Sequence, residues 1–422
     1  MTIWRVTGGR RLSGTIPVQG SKNAVLPILA ASILAPCETV LTGVPDLRDV
    51  RMTLRILRHL GCAAEREGDR VLIDSRPLCR CEIPHSLMRE LRSSVIFLGA
   101  ILARCGQARL SLPGGCELGP RPVDLHLEVL RTIGAEVTEQ GGDIVCRGGD
   151  LTGGRVILPF PSVGATENAM LAACAARGTT IISNAAREPE IVDLQTYLRA
   201  LGTRIYGAGS AEIRVEGFAP AAFVRHAILP DRIAAATLLC ACAASGGEIT
   251  LTNVFPSHFL TVLDSLSETG CDIITKSGAV TLHSAGRLVA PRPVVTRPYP
   301  GFPTDAQPPL MAACLKARGT TVFTENIFRN RYRHALELRR LGADVSIEGR
   351  VAFISGVDLL TAAPLTAGDL RGGAAMVVAA LSAEGQTEIF DEEHISRGYD
   401  RLDRQLAALG ADISCTEQTE DS

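Results

Sequence analysis

Six times along this chain a helical stretch ends in a Gly-small-polar-apolar signature. The copies are LGCAA (60–64), IGAEV (133–137), LGTRI (201–205), TGCDI (269–273), LGADV (341–345) and LGADI (409–413). The glycines stand at 61, 134, 202, 270, 342 and 410, a period near seventy residues. Self-similarity at a fixed period marks one supersecondary unit used repeatedly. The preceding residues have helical spacing: Val50, Leu54 and Leu57 with Arg51, Arg55 and Arg58 opposite, then Leu194, Leu198 and Leu201, and Leu402, Leu406 and Leu409. That pattern predicts an amphipathic helix, with the glycine as its C-cap and the β-branched stretch beyond as a strand.

A second helix recurs in step with the first and is apolar nearly all round: LPILAASILA, SSVIFLGAILA, ENAMLAACAA, AAATLLCACAA, PLMAACLKA and AAMVVAALSA. A helix without a polar face must be buried. Most copies run through a glycine into a strand, as in GQARLSL, GTTIISN, GGEITLT, GTTVFTE and GQTEIF. The unit is therefore amphipathic helix, strands, buried helix, strand. A chain of 422 residues is too long for one ordinary core. Three units make a domain of plausible size, so the expectation is an α/β protein of two three-unit domains with buried helices.

Charge narrows the partners. The formal net charge is −2, acids and bases are interspersed, and there is no polybasic tract. Nucleic acid and an anionic membrane are thus not expected. The first residues, MTIWRVTGGRRLSG, lack an apolar signal core, and the apolar run from Ile233 to Ala244 is too short to span a bilayer. A soluble, cytoplasmic protein is expected. The thirteen cysteines are scattered, and Cys79/Cys81 and Cys240/Cys242 are CxC rather than zinc-ribbon pairs. All but Cys116 read as small buried hydrophobes in a reducing compartment. Only Lys22, Lys276 and Lys316 are lysines, against 40 arginines, which draws notice to each lysine.

The starts of the buried helices carry the chemistry: Ser21-Lys22-Asn23, Arg92-Ser93-Ser94, Ser162-Val163-Gly164, Asp231-Arg232, Thr304-Asp305 and Asp369-Leu370-Arg371. Helix N-termini offer unpaired N–H groups and attract anions. Plain capping accounts for Ser162, Thr304 and Asp369. It does not account for Lys22, Arg92, Arg232 and Arg371, because a cation is disfavoured at that end of a helix. Cations placed against the preference point to an anionic ligand.

LPGGCELGPRPVDLH (112–126) interrupts one unit with three prolines, three glycines and Cys116. An exposed loop is a poor home for a purely structural thiol, and Arg121 lies five residues on. This string resembles the active-site loop of the UDP-N-acetylglucosamine enolpyruvyl transferase (1-carboxyvinyltransferase) family. The resemblance covers essentially the whole chain, through GSKNAVLPIL (20–29), SVGATENAML (162–171), NAAREPEIVDL (184–194), ILPDRI (228–233), PGFPTDAQ (300–307), DLRGGAA (369–375) and HISRGYDRLD (394–403).

The resemblance implies an inside-out α/β barrel in each of two domains, with threefold pseudosymmetry around the buried helices. It places 22–229 in one domain and 1–21 with 230–422 in the other, and the active site in the cleft between them. The implied reaction moves the enolpyruvyl group of phosphoenolpyruvate onto the 3′-hydroxyl of UDP-N-acetylglucosamine, releasing phosphate, as the first committed step of peptidoglycan precursor synthesis. It needs an acid, a base and dense positive charge. By the family pattern Cys116 is the acid and the target of the epoxide fosfomycin. Asp305 is the partner of the sugar hydroxyl and a candidate base. Lys22, Arg121 and Arg397 hold the phosphate, and Arg331 and Arg371 take the carboxylate. Asn23, Arg92, Arg121, Pro122, Val123, Asp124, Leu125, Ser162, Val163, Gly164, Asp305, Ile327 and Asp369 line the substrate site. No metal or organic cofactor is implied.

This chain departs from the pattern at Arg329, where an acid is common, and at Ala234, where a glutamate is expected. Both leave room for a paralogue with altered regulation. Three other readings compete: the shikimate-pathway enolpyruvyl transferase, a non-catalytic regulatory binder of UDP-sugars, and an RNA-processing protein of related repeats. The cysteine loop with RPVDLH and AREPEIVD speaks against the first, and retention of Cys116, Asp305 and Arg397 against the second. The mild acidity and lack of aromatic platforms speak against the third. His126 and His394 read as structural. Oligomeric state is not legible.

Overall fold

The computed structural model describes residues 1–90, 94–111 and 123–417. The described residues form two compact units: a first unit within 20–229, and a second built from 1–19 with 230–417. Each has its own apolar core.

One motif recurs through both. In the repeat opened by inner helix Lys22–Ala31, strand Glu38–Thr42 follows, then outer helix Arg48–His59, then hairpin strands Ala63–Glu67 and Arg70–Asp74. Arg70–Asp74 lies antiparallel between Ala63–Glu67 and Glu38–Thr42, and Phe223–Ala227 joins the far edge in parallel, Arg225 opposite Val40. Among the described residues there are six such four-stranded sheets, each with one parallel edge pair and two antiparallel pairs.

The N-terminal strands complete the second unit. Thr2–Thr7 stands between Gln386–Asp391 and Asp412–Glu417, with Trp4 opposite both Ile389 and Cys415. Leu12–Pro17 then takes the parallel edge of Gly247–Thr252. The chain passes from one unit to the other near residues 19–20 and again near 229–230.

The inner helices are buried because their sequences leave them no other choice. Residues 232–243 of helix Arg232–Ser245 and 371–380 of helix Leu370–Ala380 are all buried. In the second unit these two pack on each other and on Gln307–Ala313. In the first, Phe97–Cys105 packs on both Lys22–Ala31 and Val163–Ala173. The sheets present alternate residues to the helices and to solvent, as in the exposed-buried alternation of Phe223–Ala227. This is the inside-out α/β arrangement, with helices at the centre and sheets outside. The outer helices are amphipathic as their spacing predicts: Val50, Leu54 and Leu57 are buried, and Arg51, Arg55 and Arg58 exposed.

All six repeat glycines have positive φ, between 91° and 108°. At Gly202 the requirement is steric as well as conformational: a Cβ there would lie 1.9 Å from the Ala219 carbonyl oxygen. The cysteines depart in part from expectation. Cys79 is exposed in a connection, and Cys81, Cys105 and Cys415 are half-buried: Cys81 in the same connection, Cys105 at the C-terminal end of inner helix Phe97–Cys105, and Cys415 in the edge strand Asp412–Glu417. The fully buried ones behave as hydrophobes, and burial pushes the thiols of Cys62, Cys146, Cys174 and Cys314 up to about 12. Among the described residues no helix is long and apolar enough to cross a membrane.

Candidate active site

In the second unit three separate elements converge on one carboxylate. Asp305 sits in the short helical turn Thr304–Ala306 that opens helix Gln307–Ala313. Arg331 comes from the loop after strand Thr320–Thr324, and Arg371 from the first turn of Leu370–Ala380. Arg331 Nη2 donates to Asp305 Oδ1 at 3.1 Å and to the Thr304 carbonyl at 3.0 Å. Arg371 donates to Asp305 Oδ2 from Nε at 3.1 Å and from Nη2 at 3.0 Å. Both arginine side chains are 3% exposed, whereas Asp305 is 27% exposed, so the carboxylate is the group that water or a ligand can reach.

Each cation is held from behind. Asp369 Oδ1 accepts from the backbone N–H groups of Arg371 and Gly372, both at 3.0 Å, which caps the helix and fixes where Arg371 starts. The Arg371 guanidinium lies over the Tyr399 ring at 5.3 Å, and the Tyr399 hydroxyl is bonded to Thr237 Oγ1 at 2.9 Å. Burial works against the Arg371 charge, but Asp305, Tyr399 and Asp231 outweigh it and hold the guanidinium above its ordinary range. The Arg331 loop is shaped by Glu325, which is buried. Its Oε1 accepts from the Ile327 and Phe328 N–H groups at 2.8 and 2.9 Å, and its Oε2 accepts from Thr304 Oγ1 at 3.0 Å. His334 donates from Nδ1 to the Arg331 carbonyl at 3.0 Å. Burial, opposed by Asp369 and aided by Arg331, lowers its pKa to about 4, so the ring is neutral near pH 7.

Two buried donors of this cluster have no acceptor among the described residues: Arg331 Nε and Arg371 Nη1. A buried guanidinium N–H without an acceptor is costly and marks a place for water or a ligand. Arg397 lies half-buried in the turn Ile395–Arg397, which Asp391 caps by accepting from the His394 and Ile395 N–H groups at 2.7 and 3.2 Å. Ile327 is half-buried and Arg329 exposed. Ala234 is buried in the first turn of Arg232–Ser245.

The first unit holds a different arrangement. Lys22 opens helix Lys22–Ala31, and its Nζ is 2.8 Å from Asp49 Oδ2. Asp49 belongs to the first turn of outer helix Arg48–His59 and is buried. Asn23 beside it is half-buried. Ser162 caps Val163–Ala173 by accepting from the Ala165 N–H at 3.4 Å. Gly164 is glycine for space: a Cβ there would lie 2.7 Å from His126 Cε1. The His126 ring is fixed by Asn168, whose Nδ2 donates to His126 Nδ1 at 2.7 Å and to the Val95 carbonyl at 3.1 Å, while its Oδ1 accepts from the Gly99 N–H at 2.7 Å. His126 thereby anchors the start of helix Asp124–Thr132, where Val123 and Leu125 are half-buried and Asp124 exposed. Arg92, Cys116, Arg121 and Pro122 lie outside the described residues.

Two expectations about helix starts change. Thr304 does not cap its helix; its hydroxyl goes to Glu325 instead. The cations at helix starts also have protein groups beside them: Asp49 for Lys22, Asp305 for Arg371, and the Tyr299 ring, 5.5 Å away, for Arg232. Sequence reading missed Asp49, Glu325, His334 and Asn168, although Asp369 was legible as a cap.

The family model of EPSP synthase (3-phosphoshikimate 1-carboxyvinyltransferase) matches residues 6–406, and fold and site together define a carboxyvinyltransferase. The chain is 46% identical to UDP-N-acetylglucosamine 1-carboxyvinyltransferase 2 of Caldanaerobacter subterraneus subsp. tengcongensis, over 98% of this chain and 99% of that one. It is 48% identical to UDP-N-acetylglucosamine 1-carboxyvinyltransferase 1 of Symbiobacterium thermophilum, over 97% and 94%. This chain belongs to the UDP-N-acetylglucosamine 1-carboxyvinyltransferase family. Among solved structures, the enolpyruvyl transferase NikO from Streptomyces tendae superposes with a TM-score of 0.87 at 26% identity, covering 99% of each chain.

Proposed function

We propose that this chain transfers the enolpyruvyl group of phosphoenolpyruvate to the 3′-hydroxyl of UDP-N-acetylglucosamine and releases phosphate, in peptidoglycan precursor synthesis. The observation that carries this reading is the buried pair Arg331 and Arg371, converging on Asp305 with Nε and Nη1 left without acceptors among the described residues. Two planar forks with spare donors suit a small carboxylate. The names of the relatives support the same substrates.

In this reading Arg331 and Arg371 hold the phosphoenolpyruvate carboxylate, while Lys22, Arg121 and Arg397 hold its phosphate. Cys116 gives a proton to C3, which makes C2 electrophilic. The sugar oxygen bonds to C2 as Asp305 takes the hydroxyl proton. The Cys116 thiolate takes a proton back from C3 as the C2–O bond to phosphate breaks, leaving the enol ether, and the proton held by Asp305 leaves with the phosphate. Asn23, Arg92, Val123 to Leu125, Ser162 to Gly164, Ile327 and Asp369 line the sugar-nucleotide site. The test is phosphate release with phosphoenolpyruvate and either UDP-N-acetylglucosamine or shikimate 3-phosphate. Release with the sugar nucleotide alone is expected; release only with shikimate 3-phosphate overturns the reading.

A further inference from the structure

In this structure Asp305 occupies the donors that the substrate carboxylate would use. Its Oδ2 takes both Nε and Nη2 of Arg371, which is one complete edge of the guanidinium fork, and its Oδ1 takes Arg331 Nη2. An incoming carboxylate is left the end-on Nη1/Nη2 edge of Arg371, where it would share Nη2 with Asp305, and the Nε of Arg331; Arg371 Nη1 and Arg331 Nε are buried without acceptors among the described residues. A second carboxylate on that edge would stand beside the Asp305 carboxylate, and like charges so close disfavour each other. A carboxylate whose oxygens already accept three guanidinium N–H bonds is also a poor acceptor for the proton of an alcohol. The arrangement therefore fits neither tight binding of phosphoenolpyruvate nor base catalysis while Asp305 stays where it is.

We propose that Asp305 is a resident stand-in for the substrate carboxylate: phosphoenolpyruvate takes over Arg331 and Arg371, and the released Asp305 carboxylate turns to the sugar hydroxyl. The inference rests on the proposed reaction. The arginines do not move in this exchange. Asp369, Glu325 and the Tyr399 ring hold them from behind, and only the Asp305 side chain, the exposed member of the three, changes partner. One carboxylate replaces another, so the count of charges around the two guanidiniums is the same before and after. The consequence is that the base becomes available only after the electrophile has arrived.

Replacement of Asp305 separates this account from a purely supporting role. Asp305→Asn keeps the size of the side chain and removes its charge, so the competing carboxylate is gone. Phosphoenolpyruvate affinity is then expected to rise, roughly tenfold, because the ligand no longer has to displace a resident anion. If Asp305 merely braces the arginines, the same change loosens them and affinity falls. Phosphoenolpyruvate is titrated by calorimetry into wild type and Asp305→Asn, each saturated with the 3-deoxy analogue of UDP-N-acetylglucosamine, which binds but offers no nucleophile. Tighter binding to Asp305→Asn supports the exchange; equal or weaker binding overturns it. Should Asp305→Asn fold poorly, its melting temperature with and without phosphoenolpyruvate gives the same answer, since the exchange requires a larger upward shift on ligand addition than in wild type. Phosphate release by wild type is measured separately, so an enzyme that turns over UDP-N-acetylglucosamine but gives the wrong sign here loses the exchange and keeps the reaction.

Discussion

The two units are built from the same repeat, yet the cations at the starts of their inner helices meet carboxylates in different ways. In the first, Lys22 meets a buried carboxylate, Asp49, supplied by the neighbouring outer helix of the same repeat. In the second, two guanidiniums from different repeats converge on Asp305, the most exposed of the three groups. A lysine is a point charge on a flexible stem, satisfied by one counter-ion and free to swing to another. A buried arginine fork is rigid and keeps donors in reserve. The fold thus places a cation in the first turn of an inner helix in each unit, and the residue type there decides whether it is a movable cation or part of a fixed receptor for a carboxylate.

The largest contrast is expected in stability. Asp305→Ala leaves two buried guanidiniums without their shared carboxylate, and breaking a buried pair in this way costs about 3–5 kcal/mol. Asp49→Ala removes the partner of a lysine that is 12% exposed and can turn toward water, so its cost is smaller. Urea unfolding of both variants checks the order. A larger loss from Asp49→Ala would break the comparison, and recovery of Asp305→Ala on adding phosphoenolpyruvate would sharpen it.

A smaller effect follows from pH. His334 belongs to the second unit, and its folded pKa near 4 lies below the ordinary 6.5. Between those values the unfolded chain binds the proton and the folded chain does not. Its contribution is therefore fully present above pH 6.5 and is lost as pH falls toward 4, at about 1.4 kcal/mol per pH unit for one proton. His334→Asn keeps a donor for the Arg331 carbonyl and removes the titration. Its stability is expected to fall less steeply over that window, as read from urea midpoints at several pH values. Equal slopes in the two proteins would mean that His334 is not the neutral, buried ring described here.

The frame of the molecule was legible because it depends on local rules. A glycine every seventy residues has to be glycine for its positive φ, and an all-apolar helix has only the interior to go to. Asp369 was legible as a cap for the same reason: the groups it satisfies lie two and three residues away. Asp49 and Asn168 were not, since each acts on another element, and spacing along one helix says nothing about the neighbour's charge; Glu325 bonds locally to Ile327 and Phe328, but its bond to Thr304 likewise runs between elements. Thr304 looked like a cap by type, but Glu325, in the loop after strand Thr320–Thr324, offers its hydroxyl an acceptor. Cys79 looked like the other cysteines by type, and is exposed in the connection between strands Arg70–Asp74 and Glu82–Ile83. The Cys116 loop, the strongest motif in the sequence, falls outside the described residues.

The assignment of Arg371 to the substrate carboxylate is tested most directly by Arg371→Lys. Charge is kept, but the fork that receives the carboxylate is lost. The account predicts that UDP-N-acetylglucosamine, titrated by calorimetry, binds as in wild type, while kcat/KM for phosphoenolpyruvate drops by an amount on the order of 1.5–3 kcal/mol, the range for a hydrogen bond to a charged group. Unchanged kinetics with phosphoenolpyruvate, or loss of sugar-nucleotide binding in its place, would contradict it.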